Sequence, residues 1–160
     1  MTSFLKKETD LGSLYEKYAD MMFRVALANT GNKEDAEDAV QEVFAKYLEK
    51  FFGFNDEEHE KAWFIRATVN KCRDTLRKNK IRDHTPLEDV LELPQKEKGI
   101  SLKEKLEMLP DKVRSAVVLH YLEGFSVEEV GEILKISPSA VKMRLKRGRE
   151  ALKELLGEEE

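Results

Sequence analysis

The fold of this chain is indicated most clearly by residues 126–149, which read SVEEVGEILKISPSAVKMRLKRGR. Ser126 and Glu129 form the S-x-x-E pattern of a capping box, which marks the start of a helix. Ser137 followed by Pro138 is a typical start for a second helix. Helices are therefore predicted over 126–134 and 138–156, joined by a connection of only three or four residues. This spacing predicts a helix-turn-helix.

The second of these helices carries the charge that suggests a ligand. Residues 135–149 contain six lysines and arginines and no acid. We expect its apolar side chains to pack against Val117, Val118 and Tyr121, which leaves one basic face outward, formed by Ser139, Lys142, Met143, Lys146 and Arg149. A basic helix held in this way fits the major groove of DNA. The simpler alternative is a helical hairpin with a charged exposed side, which the two caps and the short turn disfavour.

The rest of the chain predicts an all-α protein of two small helical domains. Apolar residues recur at three- and four-residue steps, and Gly, Pro and Asn mark the breaks. The first domain is predicted over 8–80, with helices over about 10–29, from the Asn32 cap onward and over 61–79. Pro86, Pro94 and Gly99 predict a flexible linker over 81–100. The second domain is predicted over 101–157, with helices over 101–108, 111–123, 126–134 and 138–156.

Composition narrows the possible functions. Cys72 is the single cysteine, so no internal disulfide and no Cys-rich zinc site are possible. The chain has no signal peptide and no run of about 18 apolar residues, so a cytoplasmic protein without membrane insertion is expected. The three histidines are far apart, and no phosphate-binding loop or nucleophile motif occurs. We therefore expect no enzyme activity, no metal and no cofactor.

The net charge of −4 hides two basic segments. Residues 66–82 contain seven bases and one acid, and 135–149 contain six bases and no acid, so the remainder of the chain is strongly acidic. Two separate sites for a polyanion are therefore possible, although a single basic run is often only a solvated helix face.

Residues 109–152 resemble the fourth region of bacterial sigma factors of the extracytoplasmic-function (ECF) group. The resemblance lies in the Leu-Pro start, the Tyr-Leu-Glu-Gly turn and the Val-Lys-x-Arg-Leu-x-Arg recognition helix. It implies that Lys142, Met143, Lys146 and Arg147 contact the minus-thirty-five promoter element. Met143 stands where a small polar residue is common. Gly148 replaces a usual alanine and is expected to cost about 1 kcal/mol of helix propensity.

An acidic stripe follows one face of the second helix. Asp35, Asp38 and Glu42 are three and four residues apart, with Gln41 beside them. By itself such a stripe is more often a solvated surface. The run DAEDAVQEVF, however, resembles the second-region helix that sigma factors press against the clamp helices of the largest polymerase subunit. This implies that Asp38, Gln41 and Glu42 dock on core RNA polymerase.

The segment KAWFIRATVNKCRDTLRK, residues 61–78, resembles the part of region 2 that reads and melts the minus-ten element. The resemblance implies that Asn70 lies near a flipped base and that the loop Phe54–Glu60 forms the wall of its pocket. Four bases are expected to follow the DNA backbone, namely Arg66, Arg73, Arg77 and Lys78. Trp63 is expected to be a core residue rather than a stacking platform.

The resemblance implies a sigma factor whose partners are core RNA polymerase, through its clamp helices and flap, promoter DNA and an anti-sigma factor. One alternative is a stand-alone helix-turn-helix regulator with an N-terminal dimerisation or sensing domain. That alternative gives no role to Asn70 and the basic segment 66–82. Another is a protein that only binds core polymerase, which gives no role to the recognition helix.

Overall fold

The computed structural model describes residues 2–49, 53–82 and 101–156, and side chains from Leu11 onward within them, except at the ends of the third and last helices. In these ranges the chain is helical and contains no strand, which confirms the all-α prediction. The helices are α1 Thr2–Thr30, α2 Lys33–Glu49, α3 Glu57–Arg82, α4 Leu102–Glu107, α5 Asp111–Val117, α6 Val127–Leu134 and α7 Pro138–Leu156. No helix among these residues is long and apolar enough to cross a membrane.

Some helix boundaries differ from the sequence prediction. Helix α3 begins at Glu57 rather than near residue 61, because the Asp56 carboxylate accepts a hydrogen bond from the His59 amide at 2.8 Å and caps the first turn. It also continues to Arg82, so the predicted linker begins inside a helix. The remainder of that linker, 83–100, lies outside the described residues.

The helix predicted over 111–123 is interrupted. It is α-helical to Val117 and then widens into a π-helical turn, Val118–Leu122. The Glu123 amide donates to the Val118 carbonyl at 3.0 Å, five residues back, and Gly124 follows with a φ of 81°. Tyr121, expected in the core, is consequently exposed. Apolar periodicity could not predict this shift, because Val118 and Leu119 stay buried through the turn.

Helices α1, α2 and α3 form a bundle with small residues at its closest contacts. Ala26, Ala36 and Ala39 are fully buried, so α1 and α2 approach closely. Larger side chains fill the space beside them, and Phe64 lies among Tyr18, Phe44 and Tyr47 with ring centroids 5.2–5.6 Å apart. The bundle fixes the outward faces of α2 and α3.

A buried arginine joins the end of α4 to the start of α5. The Arg114 side chain is 4% exposed, and its Nη1 donates to the Leu109 carbonyl at 2.9 Å and to the Leu106 carbonyl at 3.3 Å. Its Nη2 donates to the Asp111 carboxylate at 2.7 Å. These bonds satisfy carbonyls at the end of α4, and the cation offsets their partial negative charge. Arg114 therefore ties α4 to α5.

The two groups of helices, α1–α3 and α4–α7, pack against each other. The Ser115 hydroxyl donates to the Asn29 amide oxygen at 3.1 Å in a buried position. Arg24 forms two hydrogen bonds with the Glu123 carboxylate, at 3.1 and 3.0 Å. Arg66 donates from Nε to the Ile133 carbonyl at 3.1 Å. Polar bonds as well as apolar contacts therefore hold the helix-turn-helix against the first bundle.

Gly148 allows α7 to lie directly on α5. A Cβ atom at this position would lie 2.5 Å from Val117 Cγ2 and 3.3 Å from Val113 Cγ1. The glycine therefore lowers the helix propensity of α7 but permits a close helix contact that no larger residue allows without a shift.

Substituting Gly148→Ala is expected to lower the free energy of unfolding by about 1–2 kcal/mol, because overpacking outweighs the gain of about 1 kcal/mol in helix propensity. Gly12→Ala is the matched control, since Gly12 is an exposed position of α1 where a Cβ would meet nothing within 4 Å. The control should stabilise the chain. Urea unfolding followed by circular dichroism measures both, and equal stabilisation by the two substitutions would contradict the packing argument.

Candidate nucleic-acid interface

The helix-turn-helix has the local geometry that its sequence predicts. The Ser126 hydroxyl accepts from the Glu129 amide at 3.0 Å while the Glu129 carboxylate accepts from the Ser126 amide at 2.8 Å. Lys135 ends α6 in the left-handed conformation, with a φ of 61°. The Ser137 hydroxyl then accepts from the Ala140 amide at 3.1 Å and caps α7. These caps set the angle between α6 and α7.

The recognition helix, α7, presents its predicted residues to solvent. Its buried stripe consists of Val141, Leu145 and Gly148. All six residues assigned from the sequence to the minus-thirty-five contact are exposed, namely Ser139, Lys142, Met143, Lys146, Arg147 and Arg149. Arg149 is held at its edge, because its Nη1 donates to the exposed Tyr121 hydroxyl at 3.0 Å. Of the other five, Lys142, Lys146 and Arg147 are cations that lie near Met143 on the exposed side of α7.

Arg144 lies apart from this surface. It is half-buried on the side of α7 that turns toward the first bundle. Its pKa is lowered by burial and by the positive charge of Arg73 on α3. The two basic segments therefore approach each other closely enough to interact, with like charges facing across the packed helices.

The acidic stripe of α2 is exposed at Asp38, Gln41 and Glu42 and half-buried at Asp35. The structure adds partners from α3 that the sequence did not indicate. Lys71 Nζ lies 3.3 Å from a Glu42 carboxylate oxygen, and Asn79 donates to Asp35 at 3.3 Å. Glu42 is 56% exposed in this ion pair, whereas Lys71 is 20% exposed, so the Glu42 carboxylate remains available to another cation from solvent.

The Asn70 side chain is exposed on α3 and makes no hydrogen bond with any other described residue. It lies in a groove between α2 and α3 that also contains Asp38, Gln41 and Glu42 on one side and Lys71 and Asp74 on the other. The groove therefore brings the amide assigned to base capture beside the acids assigned to docking.

The four bases assigned to the minus-ten backbone do not share one environment. Arg77 and Lys78 are exposed near the end of α3, and Arg77 lies 3.7 Å from Asp74. Arg73 is half-buried. Arg66 is bonded to the Ile133 carbonyl in α6, so in this arrangement its guanidinium holds the two helix groups together.

The predicted pocket wall, Phe54–Glu60, is only partly a loop, since Glu57 to Glu60 belong to the first turn of α3. Lys17 of α1 forms an ion pair with Glu57, and the Tyr18 hydroxyl donates to Glu60 at 2.7 Å. Burial and this carboxylate raise the pKa of Tyr18 to about 12. The acidic turn is therefore fixed to α1.

Trp63 lies among aromatic rings, as expected for a core residue. Its ring meets Phe64 edge-on at a centroid distance of 4.9 Å and lies 6.0 Å from Phe54. Two histidines make hydrogen-bond contacts with residues nearby in the sequence. The His59 ring accepts from the Asn55 amide, and His120 Nδ1 lies 2.7 Å from the Phe125 carbonyl oxygen. Among the described residues no cluster of His, Cys, Asp and Glu is suited to a metal ion.

Family models match both helix groups. The model described as Sigma-70 region 2 matches residues 14–82, and the one described as Sigma-70, region 4 matches residues 100–152. The two matches include all the residues assigned above to docking, melting and promoter reading.

The chain is also similar to curated proteins over most of its length. It is 31% identical to the ECF RNA polymerase sigma factor SigM of Mycobacterium tuberculosis, over 90% of this chain and 76% of that protein. It is 32% identical to the ECF RNA polymerase sigma factor SigE of Mycolicibacterium smegmatis, over 89% of this chain and 60% of that protein. The chain thus spans less than two thirds of SigE.

A solved structure shares the fold. The sigma factor RpoE, in complex with the anti-sigma factor NepR from Bartonella quintana, superposes with a TM-score of 0.70 at 24% sequence identity. The alignment covers 92% of this chain and 97% of that one.

Proposed function

The chain belongs to the ECF group of bacterial RNA polymerase sigma factors, and we propose that it docks on core polymerase through α2, melts the minus-ten element at Asn70 and reads the minus-thirty-five element with α7. As a sigma factor it directs transcription initiation and is not an enzyme. The observation that supports the docking and melting assignments is the groove between α2 and α3, where the unbonded side-chain amide of Asn70 lies beside the acidic stripe. A cytoplasmic location follows from this function.

Docking is assigned to the acidic stripe because three of its residues, Asp38, Gln41 and Glu42, are exposed to solvent on α2. The side chains of Asp38 and Gln41 make no hydrogen bond or ion pair with other described residues, and the Glu42 side chain has only the contact with Lys71. Acids at this spacing repel one another, so a basic partner surface relieves the repulsion.

Reversing charge in Asp38→Lys together with Glu42→Lys is expected to weaken core polymerase binding at least about tenfold at moderate salt, because two like charges would face the basic surface. Helix content should not change. The matched control is Glu16→Lys with Glu128→Lys, two exposed acids on α1 and α6 with the same change in net charge. Pull-down titration measures the effect. Equal binding by both double variants would make the stripe a solvated face.

Promoter reading is assigned to α7 because its exposed side carries several cations and because Ser137 caps the first turn of the helix. Lys142→Ala and Lys146→Ala are each expected to weaken binding of the polymerase complex to upstream promoter DNA by about 1–3 kcal/mol if they contact bases, with relaxed preference at those positions. Lys103→Ala, an exposed lysine on α4, is the control. Uniform loss on all sequences with a shallower salt dependence would instead assign the lysines to phosphates.

Melting is assigned to Asn70 because an extruded base needs polar groups that have no partner inside the protein. The amide of Asn70 supplies a donor and an acceptor at the edge of an open groove. Arg73, Arg77 and Lys78 lie along the same helix and supply charge for the separated strand.

Asn70→Ala is expected to leave core binding and closed-complex formation intact but to reduce strand opening, since the contact exists only after the base leaves the stack. A template already mismatched across the minus-ten element should restore part of the transcription. Permanganate reactivity of unpaired thymines and run-off yield measure this. Asn79→Ala removes the same group from α3 and serves as the control. Unchanged opening on duplex DNA would remove Asn70 from the site.

We propose that the two helix groups separate when the chain reads both promoter elements. Arg66 would have to leave the Ile133 carbonyl before it could bind DNA, and the repulsion between Arg73 and Arg144 favours that separation. An anti-sigma protein that bridges the two helix groups would hold the packed state. The RpoE structure, which contains its anti-sigma factor NepR, supports this partner class.

A further inference from the structure

We propose that Met143 is a base-reading residue, which contacts the 5-methyl group of a thymine in the minus-thirty-five element. This inference rests on the proposed role of α7 in promoter reading and specifies what one position of that helix recognises.

Met143 is the only large hydrophobic side chain on the described part of α7 that is strongly exposed, at 57%. The other large apolar residues of the helix, Val141 and Leu145, are buried, and Leu152 is half-buried. Exposing one methionine on a surface of lysines and arginines has no stabilising effect on the isolated chain, since its apolar area stays in water.

The position of Met143 on the helix is more informative than its exposure. At about 100° per residue, the buried stripe of Val141, Leu145 and Gly148 is centred roughly 170° away from Met143. The methionine thus lies on the line opposite the helix contacts. A helix that enters a groove on its free side brings this line nearest to the base edges.

The residues around Met143 fit the flanks of a major groove. Lys146 and Arg147 lie about 60° and 40° to either side of it, and Ser139 lies one turn earlier on the same face. All three are exposed. Cations at the sides of the helix match the phosphates of the two strands, and a small serine lets the backbone approach closely.

The same geometry limits how much of α7 meets the bases. Glu150 is exposed about 20° from the line of Met143, two turns later. A carboxylate there disfavours close approach to phosphates, so the base-contacting part of α7 ends within its first two or three turns. Met143, in the sixth position of the helix, lies inside that part.

An apolar side chain in a major groove has one apolar partner among the base edges. Every polar edge loses a hydrogen bond to water when a methionine covers it, whereas the methyl group of thymine gains from burial. The flexible thioether also adapts to the position of the methyl group. The geometry therefore favours duplex DNA with a thymine over an apolar pocket of a protein partner, which would meet the surrounding cations.

The test uses core polymerase loaded with the full chain. A library of randomised upstream duplexes first defines the preferred element, and each thymine in it is then replaced singly by deoxyuridine, which removes only the methyl group. At one position this change is expected to lower promoter occupancy about three- to fivefold. Met143→Ala should lower occupancy to a similar degree on thymine and show no further loss on deoxyuridine at that position.

Met108→Ala is the matched control, because Met108 is 58% exposed but lies at the end of α4. It should retain the full response to deoxyuridine. The inference is overturned if the preferred element has no thymine, if no thymine position responds, or if Met143→Ala still responds. Weaker core binding by Met143→Ala, together with an unchanged protein that responds to deoxyuridine at no position, would assign the side chain to a protein contact instead. Absence of promoter-specific occupancy by the unchanged protein would overturn the proposed function itself, which is a separate result.

Discussion

The close contact between α5 and α7 is the constraint on which the proposed DNA-reading surface depends. At Gly148 the two helices leave no room for a side chain, because Val117 occupies the space where a Cβ would lie. This contact fixes the rotation of α7 about its own axis. Once Val141 and Leu145 are turned inward beside the glycine, Met143 and the cations around it must face solvent. The packing of Gly148 against Val117 therefore determines which residues of α7 are exposed and can be proposed to contact DNA.

The opposite side of α5 links that surface to the first bundle. Ser115 bonds to Asn29 in a buried position. Arg24 of α1 bonds to Glu123, directly after the π-helical turn. Arg66 of α3 bonds to the Ile133 carbonyl in α6. Buried polar pairs favour one relative placement of two surfaces over sliding alternatives, because displacement leaves polar groups without partners. Charge acts in the other direction, since the positive charge of Arg73 contributes to lowering the pKa of the half-buried Arg144. The arrangement combines specific bonds with a repulsion that opposes them.

Acidic residues on α2 and basic residues on α3 relate the fold to the proposed role in transcription initiation. The acids of α2 and the bases of α3 lie on adjacent helices of one bundle, so a groove with the residues proposed for docking on one wall and the Asn70 side-chain amide on the other forms without any loop. Lys71 and Asn79 partly neutralise the acidic stripe in the free chain. The Glu42 carboxylate is 56% exposed in its contact with Lys71, so a basic partner can reach it from solvent. Rigid helices therefore position both surfaces.

The sequence by itself determined the all-α class, the helix-turn-helix and the outward basic face of α7, because capping boxes, turn residues and apolar periodicity act over a few neighbouring residues. It also predicted Trp63 to be a core residue, and the structure places its partly buried ring among other aromatic rings. Other features depended on residues far apart in the chain, and only the tertiary structure decided them. The Arg66 bond to Ile133, the pairing of Lys71 with Glu42 and the exposure of Tyr121 each result from contacts between helices. Gly148 illustrates the difference: local propensity registers only a weaker helix, whereas the packed structure gives the reason for the glycine, because Val117 fills its place.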